Sequence, residues 1–102
     1  LTVDIRNPFF GANAGLQLDD FSALASLNSA GSVGKTPVNG LYLAKFTSNG
    51  LTFLNKTGST QLRLRFMIDD NNNRLPDYLA FFSGNTATAA NRPVLEIIYY
   101  IP

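Results

Sequence analysis

The residues best equipped for chemistry lie in one loop, Asp69-Asp70-Asn71-Asn72-Asn73-Arg74-Leu75-Pro76-Asp77. Its spacing, Asp69-x-Asn71-x-Asn73-x-x-x-Asp77, follows calcium loops of the form D-x-D-x-D-G-x-x-D. Calcium is a hard cation that takes six to eight oxygen ligands from carboxylates, amides and backbone carbonyls. Alternate positions of a tight loop aim Asp69, Asn71 and Asn73 inward. Asp77 then closes the site, and the Leu75 carbonyl adds a backbone ligand. Calcium is therefore the cofactor this spacing puts forward. Two features oppose it: Arg74 stands where glycine normally relieves the turn, and Asn twice replaces Asp. The competing reading is a hairpin loop whose Asn and Asp side chains hydrogen-bond their own backbone.

A second set could bind a ligand. Arg63 and Arg65 share one side of a strand pattern, and Tyr42, Tyr78, Tyr100 and Phe82 are candidates for a platform under sugar rings. Aromatic rings give apolar area, and tyrosine adds a polar handle. The arginines could bind an anionic glycan, or pair with Asp69, Asp70 or Glu96 across a sheet. Tyrosines in such patterns also serve as core, so packing competes with binding. Catalysis finds no footing. The chain has no His and no Cys, so neither the commonest general base nor a thiolate is present. The carboxylate pairs Asp19-Asp20 and Asp69-Asp70 are sequence neighbours, which point to opposite faces of a strand. The reading is a protein that is not an enzyme.

The elements that must position these residues read as strands. Leu1 to Arg6 alternates apolar and polar, and Asn7-Pro8 closes it. Phe9 to Gly15 is a loop with an aromatic anchor. Leu16 to Leu27 reads as a short strand followed by a turn of helix capped by Asp19 or Asp20. Asn28 to Gly40 is rich in Gly, Ser, Asn and Pro and reads as a long loop. Leu41 to Thr47 reads as a strand with Tyr42, Ala44 and Phe46 toward the core. Ser48-Asn49-Gly50 signals a turn, and Leu51 to Asn55 a short helical turn or strand. Thr60 to Ile68 is the strongest strand. It places Leu62, Leu64, Phe66 and Ile68 on a buried face and Arg63 and Arg65 on a wet one. Tyr78 to Ser83 and Val94 to Ile101 complete the set, the last with Leu95, Ile97, Tyr99 and Ile101 on one side.

Composition bounds the rest. The 102 residues make one domain, 1–102, with 45% hydrophobic and only 15% charged residues. A net charge of +1 with scattered cations gives no basic stripe, so nucleic acid is not an expected partner. No run approaches the roughly 20 apolar residues of a membrane helix, so no membrane span is expected. Strands separated by turn chemistry argue an all-β fold: an antiparallel β-sandwich of jelly-roll type with room for one short helix.

The string TGSTQLRLRFMIDD…DYLAFFSGN…ANRPVLEIIYY resembles the C-terminal half of DNRLRE-type domains, β-sandwich modules related to carbohydrate-binding modules of secreted bacterial proteins. The resemblance rests on the alternating strand Gln61 to Phe66, the Asp/Asn loop, Asp77-Tyr78-Leu79, Ser83-Gly84 and Asn91-Arg92-Pro93. Ahead of Lys56 it is loose. It implies an extracellular or cell-surface module of bacterial origin that binds polysaccharide or a cell-surface glycan without catalysis. Such domains carry further strands ahead of the one matching Leu1 to Arg6, so the domain is expected to be N-terminally incomplete. Hence the alternative expectations: a structural subunit of an extracellular assembly or fibre, self-associating by β-strand addition, or a calcium-stabilised scaffold.

Overall fold

The computed structural model describes residues 1–101. Its regular structure is predominantly strand: β1 (Thr2–Arg6), β2 (Leu27–Val33), β3 (Ala44–Phe46) and β4 (Gln61–Arg65), with one short helix, α1 (Ser48–Thr52). Two single turns of 3-10 helix lie at Leu18–Phe21 and Ala89–Asn91. The chain divides into two compact units, Leu1–Asp69 and the residues from Asp70 on.

The first unit holds a four-stranded antiparallel sheet in the order β3-β2-β1-β4. The sequence makes β1 its centre. Val3 and Ile5 point to one side and Thr2 and Asp4 to the other, and all four are buried. Its edges are paired on both sides, by β2 and by β4. Thr2 pairs with Arg65, Val3 with Leu64, Asp4 with Arg63 and Ile5 with Leu62. On the β2 side the register slips between Val3 and Ile5, which face Gly31 and Leu27. Ser29, in the left-handed region at φ 53°, takes up the extra length.

The Asn28 to Gly40 stretch was expected to be a loop, and β2 corrects this. Its glycine is there for close approach. A Cβ on Gly31 would come within 2.6 Å of the Lys45 carbonyl oxygen of β3. Gly50 of α1 lies tighter still on the Ala30 carbonyl of β2. That carbonyl accepts the Thr47 N–H at 2.9 Å and the Thr47 hydroxyl at 3.1 Å. The same hydroxyl accepts the Gly50 N–H at 2.9 Å and so caps α1. Small residues here mark backbone packed on backbone, which composition alone mimics with flexibility. The expected turn at Ser48-Asn49-Gly50 is the first turn of α1.

Three other expectations shift. No strand forms at Leu16; the Leu18–Phe21 turn is preceded by Gln17, and Asp20 reaches back to accept the Gln17 N–H at 2.9 Å. The strand of Leu41 to Thr47 is confined to Ala44–Phe46, with an isolated bridge between Val38 and Leu41. The expected burial of the β4 leucines is not found, and Gln61 and Arg63 are the more covered residues of the strand. Leu62 and Leu64 are 46% and 47% exposed, whereas the Arg63 side chain is only 16% exposed. Asp4 on the buried central strand draws the arginines inward, because a buried carboxylate needs a cation and hydrogen bonds.

The second unit contains the Ala89–Asn91 turn and otherwise irregular or extended backbone. Tyr78 to Ser83 and Val94 to Ile101, expected as strands, enter no ladder among the described residues. Their residues favour extended backbone, but a strand is completed only by a hydrogen-bonded neighbour. Arg92 Nε donates to the Thr86 carbonyl at 3.0 Å and the Thr86 N–H to the Ser83 carbonyl at 3.2 Å, so the loop between them closes on itself. Among the described residues no helix is long and apolar enough to cross a membrane.

Candidate functional site

The most organised chemistry in the molecule surrounds Asp4, which is fully buried. Its Oδ2 accepts Arg63 Nη2 at 2.9 Å and Arg65 Nε at 2.7 Å. Its Oδ1 accepts the Ser29 N–H at 2.9 Å, from the residue displaced by the irregular register of β2. The sheet places these groups. Arg63 stands directly opposite Asp4, and Arg65 is the diagonal neighbour two positions on. Burial alone pushes the Asp4 carboxyl up. The hydrogen bonds from Arg65, the Ser29 backbone and Arg63 outweigh burial and hold it below the ordinary carboxylate value.

Arg63 also ties the sheet to the loop that follows β1. Its Nη1 donates to the carbonyls of Asp20 and Ala23, both at 2.8 Å, and to that of Phe21 at 3.2 Å. Its guanidinium lies over the Phe10 ring, 4.5 Å from the centroid. Gln61 makes a second tie: its Oε1 accepts the Phe10 N–H at 2.8 Å and its Nε2 donates to the Ala14 carbonyl at 2.9 Å. Arg63 Nε and Asp20 Oδ1 are buried without a hydrogen-bond partner. The long side chains of β4 thus work as fasteners, and their polar groups face inward to the protein.

Beside them runs an open cleft of about 370 Å³. One wall is Phe10, Leu16, Asp20 and Phe21; the other is the consecutive run Gln61, Leu62, Arg63 and Leu64. Consecutive strand residues point to alternate faces. A cleft touched by four in a row therefore follows the edge of the strand. β4 is the last strand of the sheet, and no described strand pairs with its outer side. An outer strand presents a row of backbone N–H and C=O groups. Here that row is flanked by exposed Leu16 and Phe21 and by half-exposed Leu62 and Leu64. Such a surface can hydrogen-bond an extended backbone and bury alternate apolar side chains.

The residues singled out from sequence fall as follows. Arg63 and Arg65 meet at Asp4, a partner that was not among those expected. Tyr42 is half-buried in the first unit; Tyr78 and Tyr100 are exposed in the second. Asp69 ends the first unit, and Asn71, Asn73, Leu75 and Asp77 belong to the second. In that loop Asn71 Oδ1 accepts the Asn73 N–H at 3.0 Å and Asn73 Oδ1 accepts the Leu75 N–H at 2.7 Å. Asn72 and Arg74 adopt left-handed backbone. These are side-chain turns of the self-bonded loop. Among the described residues no three His, Cys, Asp or Glu side chains gather where they could hold a metal.

Comparison with protein-family models, with curated proteins and with solved structures returns no match. The chain's own geometry carries the functional reading. Sequence reasoning passed over Asp4 and the loop residues Leu16 and Phe21. A signal for Asp4 existed: an acidic residue between Val3 and Ile5 faces the same way as a strand with two arginines two residues apart.

Proposed function

We propose that this chain is a non-catalytic module of an exported, extracellular assembly that works by β-strand addition. A strand added at the open edge of β4 would extend the antiparallel sheet toward the sandwich of jelly-roll type that the strand spacing suggests. The observation that supports this is the cleft along β4, the terminal strand of the sheet, where Leu16, Phe21, Leu62 and Leu64 are joined by Asp20, Gln61 and Arg63 in the lining. The side chains beside that edge include the half-exposed Leu62 and Leu64.

The glycan reading has less support in the geometry. Arg63 and Arg65 are engaged with Asp4, and the three tyrosines are distributed over both units. Hydrogen exchange tests the proposal. Addition of a synthetic strand peptide of alternating Val and Thr should slow exchange at Gln61–Arg65 and leave Ala44–Phe46 unchanged. Unchanged exchange at β4, together with retardation in polysaccharide gels, would replace strand addition with glycan binding.

A further inference from the structure

We propose that Asn39 is a site of self-modification, at which the Gly40 amide nitrogen attacks the Asn39 side chain and its amide is replaced by a carboxylate. The chain holds two Asn-Gly pairs, Asn39-Gly40 and Asn49-Gly50. Glycine after asparagine leaves the attacking nitrogen unshielded, because no Cβ stands beside it. The two dipeptides are the same in sequence, and the fold separates them. Asn39 and Gly40 form the two-residue tip between Val38 and Leu41, which bridge each other. Both tip residues have left-handed backbone, at φ 52° and 77°. Both are exposed, and apart from the chain neighbours no atom lies within 4 Å of where a Gly40 Cβ would stand. The tip is held by the Val38 N–H on the Leu41 carbonyl at 2.9 Å and the Leu41 N–H on the Val38 carbonyl at 3.0 Å. Neither the Asn39 side chain nor the Gly40 N–H takes part in those bonds.

Asn49-Gly50 is tied down at the corresponding points. It lies inside α1. The Gly50 N–H donates to the Thr47 hydroxyl at 2.9 Å, and the Asn49 carbonyl accepts the Thr52 hydroxyl at 2.7 Å. Gly50 is buried against the Ala30 carbonyl of β2. Ring closure there requires the Gly50 nitrogen to leave Thr47 and the backbone to turn against β2. At Asn39 the step needs water alone as co-reactant. The Gly40 nitrogen bonds to Asn39 Cγ, the Cγ–Nδ2 bond breaks, and the proton lost from the Gly40 nitrogen leaves with Nδ2 as ammonia. Water then opens the five-membered cyclic imide at either carbonyl. One opening gives aspartate, and the other gives isoaspartate, whose main chain runs through Cβ. Either product adds one negative charge, which cancels the formal +1 of the chain. Isoaspartate also lengthens the tip by one backbone carbon, so the two-residue turn between Val38 and Leu41 no longer closes in the same form.

Peptide mapping by mass spectrometry tests this on the whole folded chain, incubated at mildly alkaline pH. The mass gain of amide-to-acid conversion should accumulate severalfold faster at Asn39 than at Asn49. In urea, where neither pair is held, the two should react at similar rates. The Asn39 product should contain isoaspartate, which direct hydrolysis of the side-chain amide does not form. Gly40→Ala should slow the reaction severalfold, and Asn39→Asp should reproduce the acidic shift of the aged chain on ion exchange. Asn49 keeping pace with Asn39 in the folded chain would overturn the proposal. So would a folded chain intact at Asn39 while the unfolded chain reacts at both pairs, or a product free of isoaspartate. The outcome is independent of strand addition, since Asn39 lies neither on β4 nor in the lining of its cleft.

Discussion

β1 and the segment Val94 to Ile101 carry related instructions and meet different fates. Each has apolar residues at alternate positions and a single acidic residue near its middle, Asp4 in one and Glu96 in the other. β1 is buried on both faces between two neighbours, and its acid is locked by two arginines and a backbone N–H. The other segment is exposed and outside any ladder among the described residues. Alternation gives a strand two faces but does not provide the neighbours that bury them. The acid in β1 selects its neighbour, because only a strand with cations on the matching side can accompany it into the interior.

The sharpest way to break this comparison is to truncate the same residue type in both regions. Ile5→Ala should destabilise the first unit by about 4 kcal/mol, the range for a fully buried isoleucine, read from urea unfolding. Ile98→Ala should change the stability of dilute protein by less than about 0.5 kcal/mol. Equal losses would show that the segment is packed in the monomer.

Asp4→Ala comes next. It leaves two guanidinium groups facing a lost carboxylate, and unfolding should become easier by about 3 kcal/mol. The two arginines should then separate in size of effect. Arg63→Met loses the Asp4 contact, three carbonyl bonds and the Phe10 stack. It should cost about 2–3 kcal/mol by the same measurement. Arg65→Met loses one bond from a side chain that is 42% exposed, and should cost about 1 kcal/mol.

Acid gives a smaller and gradual effect. The Asp4 carboxyl is lowered in the folded chain from its ordinary value of 3.8. The unfolded chain therefore binds this proton more readily than the native one. The contribution is fully present above the unfolded value and declines as pH falls through the native one. Urea midpoints taken downward from pH 5 should fall below about pH 4, and Asp4→Asn should flatten that decline. Calcium is the weakest lever. The self-bonded turns of the Asn71 to Leu75 loop predict the same melting temperature in calcium and in chelator. A rise in calcium that Asp77→Ala abolishes would establish the Asp69 to Asp77 site instead.

Much of the first unit was legible. The strand at Leu1 to Arg6, its closure at Asn7-Pro8 and the strand around Gln61 to Arg65 all follow from period-two alternation, a local property. β2 was not legible, since Gly and Ser mark close backbone approach as readily as they mark a loop. The docking edge was only half legible. Sequence offered the alternating run of β4 but not its position at the end of the sheet.

What the sequence determined by itself is therefore local: extended backbone where apolar residues alternate, turns where Asn, Gly and Pro cluster, and a set of side chains without His or Cys. The tertiary structure decided which side of β4 faces inward, which carboxylate its arginines meet, and which strand edge stays open. Those choices depend on groups as distant along the chain as Asp4 and Arg65. They are settled by the free energy of burying a charge and pairing a strand, which no local window of sequence contains.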